Sequence, residues 1–210
     1  FKNRLVNEMG LDKNSDGQIQ QSEILAVTFL DVESKKIASL EGIEHFTNLV
    51  ELRCSWNKLT ELDLSKLTQL QTLQCFGNQL VNLNLSNLTQ LQNLNCSNNQ
   101  LTELNLNDLA QLLILEFSKN QITQIDVSNL TMLKKLDCNT NQLVVLNLSN
   151  LSQIQNLYCQ NNQLVDLNVS NLTQLQNLYC YNNQLTELDL NNLTQLEMLY
   201  CNNNQIKQLN

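Results

Sequence analysis

The chain has 210 residues, a formal net charge of −8 and a sequence pI near 4.6. This acidic balance excludes the usual nucleic-acid-binding surface, because a basic face is needed to displace the counterions of phosphate. No apolar run approaches the ~18 residues of a membrane-spanning helix, so the sequence predicts no transmembrane segment. The length suffices for one domain with a continuous core.

Residues 1–26 are predicted to form a small helical cap. Phe1, Leu5 and Met9 recur at helical spacing, which indicates an amphipathic helix. Residues 12–23 read DKNSDGQIQQSE, which matches the pattern D-x-[DN]-x-[DN]-G-x5-E at every defined position. This segment resembles the calcium loop of EF-hand proteins. The resemblance implies one structural calcium ion, held by Asp12, Asn14, Asp16, Gln18, Gln20 and Glu23.

The calcium loop allows three interpretations. A calcium-stabilised cap is favoured, because the end coils of a repeat domain expose apolar edges that need covering. A calcium switch is the second interpretation, although calcium sensors usually pair their sites and this sequence has a single loop. The third is a loop of the same shape that binds no metal.

Residues 27–210 are predicted to form a repeat domain. A leading coil of 22 residues spans Val27 to Asn48, and eight coils of 21 residues follow it, the last incomplete. Self-similarity at this period is typical of solenoids, in which each coil contacts only its neighbours. Asparagine marks every regular coil, at Asn57, Asn78, Asn99, Asn120, Asn141, Asn162, Asn183 and Asn204.

One coil illustrates the construction. Leu73–Gln74–Cys75 alternates apolar and polar residues, as a short half-buried strand does, so neighbouring coils should pair in one parallel sheet. Asn78 follows at a bend, where its amide can satisfy backbone groups that the turn leaves unpaired. The leucines of the return path are expected to line the core.

Cysteine also recurs once per coil, with one exception. The column comprises Cys54, Cys75, Cys96, Cys138, Cys159, Cys180 and Cys201. Stacked positions lie about 4.8 Å apart with parallel Cα–Cβ vectors, outside the disulfide Cβ range of roughly 3.5–4.5 Å, and such a column does not converge on a zinc ion. Phe117 fills the remaining position, so the sequence favours small apolar core residues over reactive thiols.

These columns resemble the leucine-rich repeat, L-x-x-L-x-L-x-x-N-x-L, with cysteine at the third apolar position. The resemblance implies an α/β solenoid: a leucine-rich-repeat horseshoe with a parallel concave β-sheet, a convex side of short 3₁₀ or irregular segments, and a small helical N-terminal cap. Residues 40–49 resemble the first repeats of bacterial internalin-like proteins. Those relatives are mostly secreted or cell-surface proteins that hold partners on the concave face, which implies the same localisation here.

Side chains that flank the leucine and the cysteine of each strand segment are expected to face outward on the concave sheet. The first column reads Glu51, Thr72, Asn93, Ile114, Lys135, Asn156, Asn177 and Met198. The second reads Arg53, Gln74, Asn95, Glu116, Asp137, Tyr158, Tyr179 and Tyr200. The third reads Ser55, Phe76, Ser97, Ser118, Asn139, Gln160, Tyr181 and Asn202.

The aromatic residues of these columns are the candidate partner-binding site. Tyr158, Tyr179 and Tyr200 should stack in one column, with Tyr181 and Met198 beside it, because tyrosine is favoured at interfaces. A cross-strand ladder that only stabilises the sheet is the alternative. Trp56 and Phe76 form a second candidate patch.

No nucleophile–base pair, phosphate loop or metal-ligand cluster indicates an enzyme. Three functions remain. The favoured one is a secreted or cell-surface bacterial module for adhesion that binds a protein partner, a host protein among the candidates. A surface protein that binds a glycan through the tyrosine column is the second, and an intracellular protein-interaction scaffold, compatible with free thiols, is the third.

Overall fold

The computed structural model describes residues 10–207, and in them the chain forms one parallel sheet of nine strands arranged in sequence order. The strands are β1 (Phe29–Asp31), β2 (Glu51–Arg53), β3 (Thr72–Gln74), β4 (Asn93–Asn95), β5 (Ile114–Glu116), β6 (Lys135–Asp137), β7 (Asn156–Tyr158), β8 (Asn177–Tyr179) and β9 (Met198–Tyr200). This architecture confirms the predicted leucine-rich-repeat solenoid.

The strand register follows the sequence period. Leu30 pairs with Leu52 across a 22-residue interval, and every later strand pairs with the next across 21 residues, as in Leu52 with Leu73. The central leucine of each strand points into the core, whereas its two neighbours point outward. The two outward columns that flank the strand leucines are therefore confirmed as rows of residues aligned in register.

The cysteine column lies inside the core. All its members except Cys201 are buried, and all of them are free thiols. Burial raises the pKa of Cys96 to about 12 and holds the pKa of Cys75 well above its usual value. Phe117 is also fully buried in this column, so the prediction of a structural role for the column is confirmed.

Each asparagine of the recurring column ties two coils together, and we call these residues the asparagine ladder. The amide nitrogen of Asn183 donates to the carbonyl oxygen of Cys180 at 3.0 Å and to that of Cys159, one coil earlier, at 3.1 Å. Its Oδ1 accepts a hydrogen bond from the backbone N–H of Leu164 at 3.0 Å. The side chain thus satisfies three backbone groups that water cannot reach.

The return path of each coil consists of turns. Asp and Asn side chains organise these turns, since Oδ1 of Asn84 accepts from the backbone N–H of Ser86 at 3.0 Å and Asp63 binds Ser65 in the same way at 2.9 Å. In the described part of the chain, the only 3₁₀ helix is Ile43–His45 of the leading coil. The convex side is therefore mainly irregular.

The N-terminal region contributes one short described helix, α1 (Gln21–Leu25). The predicted amphipathic helix around Phe1, Leu5 and Met9 lies outside the described residues, as do residues 208–210. Across residues 10–207, no helix combines the length and apolar character that crossing a bilayer demands.

Candidate functional site

The concave face of the sheet carries two aromatic clusters separated by a polar centre. The parallel register stacks equivalent side chains of successive strands directly beside one another, at a spacing of about 4.8 Å. A residue type repeated in one column must therefore contact its own copies. This arrangement converts a sequence repeat into a continuous surface.

The C-terminal cluster is the tyrosine column formed by Tyr158, Tyr179 and Tyr200. The rings of Tyr158 and Tyr179 have centroids 5.0 Å apart at 45°, and those of Tyr179 and Tyr200 are stacked at 4.6 Å and 24°. Met198 lies beside them, with its sulfur 3.6 Å from the hydroxyl of Tyr179. These contacts confirm the predicted stacking of the three rings with Met198 beside them. Tyr200 is 50% exposed and Met198 49% exposed.

The tyrosine column presents its edges and hydroxyl groups to a ligand. The two faces of the Tyr179 ring are occupied by its neighbours, and the ammonium group of Lys135 lies 5.7 Å from the centroid of the Tyr158 ring. Desolvation, followed by the nearby Tyr200 and Tyr158, raises the pKa of Tyr179. Tyr179 is therefore uncharged at neutral pH, and the column offers a row of hydrogen-bonding hydroxyls.

A polar network crosses the centre of the face. Lys135 forms an ion pair with Glu116, and the other carboxylate oxygen of Glu116 accepts from the side-chain amide of Asn95 at 2.8 Å. Burial raises the pKa of Asp137, which lies in the column of Glu116 and Tyr158. The network thus runs without interruption from β4 to the tyrosine column.

The N-terminal cluster contains Trp56 and Phe76, whose rings meet edge to face with centroids 5.4 Å apart and an interplanar angle of 81°. Arg53 pairs with Glu51 at 2.6 Å, and its guanidinium carbon lies 5.3 Å from the centroid of the Phe29 ring. The sequence reasoning missed Phe29, because β1 belongs to the irregular leading coil and was not aligned with the columns.

The prediction that the whole third column is exposed was wrong. Ser55 and Ser118 are buried. The strands end at the second column, so the third position lies beyond the extended segment and the alternation of a strand no longer applies. Phe76 and Tyr181 of the same column remain half-buried and accessible.

The N-terminal loop of residues 12–23 is closed by hydrogen bonds to its own acidic side chains. Asp12 accepts from the backbone N–H groups of Asp16 and Gly17, at 3.2 and 2.8 Å. Glu23 joins the two ends of the loop, since its oxygens accept from the N–H of Lys13 at 2.6 Å and of Gln20 at 2.9 Å. Gly17 adopts the left-handed conformation at φ +80°.

Neither the loop nor the rest of the described chain brings together three His, Cys, Asp or Glu side chains in an arrangement that could hold a metal ion. The single histidine, His45, is exposed and lies 3.4 Å from Glu44. The buried thiols are unsuited to nucleophilic chemistry, because their raised pKa keeps them protonated.

Comparison with known proteins points to one type of architecture. Residues 173–210 match the family model described as Leucine Rich repeats (2 copies). A segment of 50 residues is 40% identical to Internalin J of Listeria monocytogenes serotype 4b (strain F2365), and it spans 24% of this chain but only 6% of that protein.

Solved structures extend the similarity over the whole chain. The functional domain of InlJ from Listeria monocytogenes, described as including a cysteine ladder, is 28% identical with a TM-score of 0.50, and the match covers 99% of this chain and 61% of that one. Internalin C2 of Listeria monocytogenes str. 4b F2365 is 27% identical, with a TM-score of 0.83 and 91% of each chain covered.

A eukaryotic receptor shares the fold. The leucine-rich-repeat ectodomain of the plant receptor kinase GASSHO1/SCHENGEN3 from Arabidopsis thaliana, in complex with Casparian strip integrity factor 2, is 26% identical, with a TM-score of 0.71. The match covers 86% of this chain and 23% of the receptor. The chain is therefore a leucine-rich-repeat solenoid similar to the internalins of Listeria, and this is the architecture of a protein-interaction module.

Proposed function

We propose that this chain is a non-enzymatic adhesion module that holds a protein partner on its concave face, as part of a secreted or cell-surface bacterial protein. The observation that carries the proposal is the tyrosine column on the outward face of β7–β9. Together with Tyr181 and Met198, it provides a large accessible aromatic area of the composition that protein interfaces favour.

The geometry of the column favours a protein over a glycan. A sugar ring binds aromatic residues by stacking on a free ring face, but within the column both faces of Tyr179 are already occupied. The column instead offers ring edges and hydroxyl groups, which suit the mixed apolar and hydrogen-bonding surface of a protein. Similarity to internalins supports an extracellular location, and we propose a host protein as the partner.

A binding screen with matched variants tests this function. The native chain is compared with the triple variant Tyr158→Ala, Tyr179→Ala, Tyr200→Ala against extracellular proteins and a glycan array. The control is Val81→Ala, Val144→Ala, Val165→Ala, which removes exposed apolar groups from the return path. We expect a protein ligand that binds the control as tightly as the native chain. Its Kd for the tyrosine variant should rise at least about tenfold.

Equal binding by both folded variants would contradict the assignment of the tyrosine column. A ligand found only on the glycan array would instead favour the carbohydrate-binding alternative. A partner found only among intracellular proteins would favour the scaffold.

The proposal includes one structural calcium ion in the N-terminal loop. Its ligands would be the side chains of Asp12, Asn14, Asp16 and Glu23, the backbone carbonyl of Gln18, and Gln20 through a water molecule. Three features of the loop favour this use: Gly17 makes the sharp left-handed bend, Glu23 closes the loop onto Lys13, and Glu23 lies in the first turn of α1. Asp12, Asp16 and Glu23 do not converge in the structure, so calcium binding would have to draw them together; their oxygens accept N–H groups here and retain further lone pairs for a cation.

Thermal unfolding with and without calcium tests the ion. At a tenfold excess over its Kd, calcium should stabilise the folded chain by about 1.4 kcal/mol, and Glu23→Gln should abolish this gain. Glu103→Gln, an exposed change on the return path, is the control. An unchanged melting temperature at millimolar calcium would contradict the metal site while leaving the proposal for the concave face intact.

A further inference from the structure

The rings of Tyr179 and Tyr200 form the closest aromatic contact in residues 10–207. Their centroids lie 4.6 Å apart with an interplanar angle of 24°, whereas those of Tyr158 and Tyr179 lie 5.0 Å apart at 45°. The register fixes this contact, because Tyr179 and Tyr200 are aligned partners of β8 and β9. Two phenol rings therefore remain side by side as long as these coils are folded.

Two phenol rings in contact can be joined by oxidation. Removal of one electron and the hydroxyl proton turns each tyrosine into a phenoxyl radical, whose unpaired electron is shared with the two ring carbons beside the C–O bond. A bond between one such carbon of each ring gives dityrosine, and the hydrogen on each joined carbon then moves to its oxygen as a proton. Both hydroxyl groups are restored. With hydrogen peroxide and a haem peroxidase as the oxidant, two tyrosines and one peroxide yield one dityrosine and two molecules of water.

The fold favours coupling within one molecule over coupling between molecules. A radical on Tyr200 is already in contact with the ring of Tyr179, so the second reactant is present at an effective concentration far above that of another copy of the chain. Tyr158 and Tyr200 are two strands apart, roughly 9.6 Å at 4.8 Å per strand. Coupling within the tyrosine column must therefore include Tyr179, the middle ring.

Two features favour coupling of Tyr179 with Tyr200 over coupling with Tyr158. The first is the shorter distance and the smaller angle between the rings. The second is Lys135, whose ammonium group lies 5.7 Å from the centroid of the Tyr158 ring, because a positive charge opposes the removal of an electron from a nearby ring. Tyr200 is also 50% exposed, so a soluble oxidant can reach it.

Sulfur groups near the column react with peroxide in ways that can be told apart from coupling. Met198 is 49% exposed and its sulfur lies 3.6 Å from the Tyr179 hydroxyl, and its oxidation to the sulfoxide adds one oxygen atom. Cysteine oxidation requires a thiolate, and every cysteine of the column except Cys201 is buried in the core. Cys201 is therefore the one thiol of the column that needs protection during oxidation.

We propose that one-electron oxidation joins Tyr179 and Tyr200 as an intramolecular dityrosine that ties β8 to β9. The inference does not depend on the proposed function, since it requires only the folded sheet and an oxidant of this class. A covalent link across one coil removes conformations from the unfolded chain. Oxidation should therefore hold the coil of β9 in place and fix the arrangement of the rings, while their hydroxyl groups stay on the concave face.

Mass spectrometry after treatment with a haem peroxidase and hydrogen peroxide tests the link. Cys201 is first alkylated, so that its thiol cannot react. Cleavage after Asp and Glu then places the tyrosines in three peptides: Tyr158 in residues 138–166, Tyr179 and Tyr181 in residues 167–187, and Tyr200 in the peptide that begins at Met198. We expect the second and third peptides to be joined, with a mass two hydrogen atoms below their sum, together with the blue fluorescence of dityrosine.

Phenylalanine variants identify the reacting pair, because they keep each ring and remove only the hydroxyl group that oxidation requires. Tyr200→Phe should lower the yield of intramolecular dityrosine at least about fivefold, since only the less favourable pair of Tyr158 and Tyr179 remains. Tyr179→Phe should abolish coupling within the column. Tyr181→Phe is the control, because Tyr181 shares a peptide with Tyr179, and it should give the native yield.

Dityrosine found only in dimers, with a yield that rises with protein concentration, would overturn the inference. So would a dominant link to the peptide of Tyr158, or oxygen addition at Met198 without any link. Hydrogen exchange measures the consequence for the sheet: the backbone N–H groups of Glu197 and Met198 donate to the carbonyl of Gln176, and both should exchange about tenfold more slowly after coupling. Unchanged exchange in the linked chain would contradict the tie between β8 and β9.

Discussion

The interior columns and the concave columns of the solenoid come from the same coils, but the coils vary much less in the interior. The ladder position is asparagine in all eight regular coils, and the neighbouring core column holds only cysteine and one phenylalanine. The first concave column, in contrast, contains six different residue types in eight coils. An interior side chain must fit its own copies above and below, whereas a concave side chain meets solvent. Packing therefore explains the constancy inside and leaves the concave positions free to vary.

The largest expected effect is the response of the interior thiols to alkali. A thiol has a pKa of about 8.5 in an unfolded chain, and burial raises the pKa of Cys75, Cys96 and Cys159 far above that value. Above about pH 9 the unfolded state releases these protons while the folded state keeps them. The free energy of unfolding should then fall by about 1.4 kcal/mol per pH unit for each buried thiol.

Urea unfolding under reducing conditions between pH 8 and pH 11 measures this slope. The double variant Cys75→Ala, Cys159→Ala should show a shallower fall, because two titrating groups are missing. Equal slopes for the native chain and the variant would contradict the role of the thiols.

Two adjacent asparagines provide the next test, because they differ only in their position in the coil. Asn183→Ala removes three hydrogen bonds to buried backbone groups and should lower the free energy of unfolding by about 3–5 kcal/mol. Asn182 is exposed: its amide donates to Asn161 at 2.6 Å, and its Oδ1 accepts from Asn203 at 2.7 Å. Because water can replace both partners, Asn182→Ala should lose mainly the left-handed preference of asparagine, about 1 kcal/mol. Similar losses in urea unfolding would show that the ladder is not a principal source of stability.

Phe117 tests whether the cysteine column requires a thiol or only an apolar filling. Phe117→Cys restores the regular column but leaves a cavity where the ring is fully buried. The expected loss is about 3 kcal/mol in urea unfolding, with Phe117→Leu losing less. Greater stability of Phe117→Cys would mean that contacts between thiols outweigh packing.

The smallest effect is expected on the concave surface. Tyr179→Ala removes two ring contacts that remain open to solvent, so its loss of stability should be roughly a third of that of Asn183→Ala or less. Tyr179→Phe should be nearly neutral, because its hydroxyl contacts only a weak acceptor, the sulfur of Met198. A large loss of stability for Tyr179→Ala would favour a structural ladder over a binding surface.

The sequence predicted the parts of the fold that depend on position alone. The 21-residue period determined which strands pair, which leucines are buried and that Tyr158, Tyr179 and Tyr200 stack. A repeated coil makes these contacts unavoidable, since equivalent residues have equivalent neighbours. The role of the asparagine ladder followed from the same reasoning.

Contacts that depend on the direction of a particular side chain were not predictable from the period. The burial of Ser55 and the edge-to-face approach of Phe76 result from where the chain turns after the strand. Trp56 packs so closely on Gly77 that a Cβ there would lie 2.5 Å from the ring. This packing did leave a signal in the sequence, because glycine stands at this position only in the coil that follows the tryptophan. Comparing the residues at this position in adjacent coils would have revealed it.

The uniform register of β7, β8 and β9 has an evolutionary consequence. Because Asn156 pairs with Asn177 in the same phase, removal of residues 156–176 would join Gln155 to Asn177 and keep every interior column continuous. Such a shortened chain would bring Tyr179 next to Lys135 and lose one ring from the surface. Unequal recombination between coils can therefore lengthen or shorten the concave face by whole coils without interrupting the core.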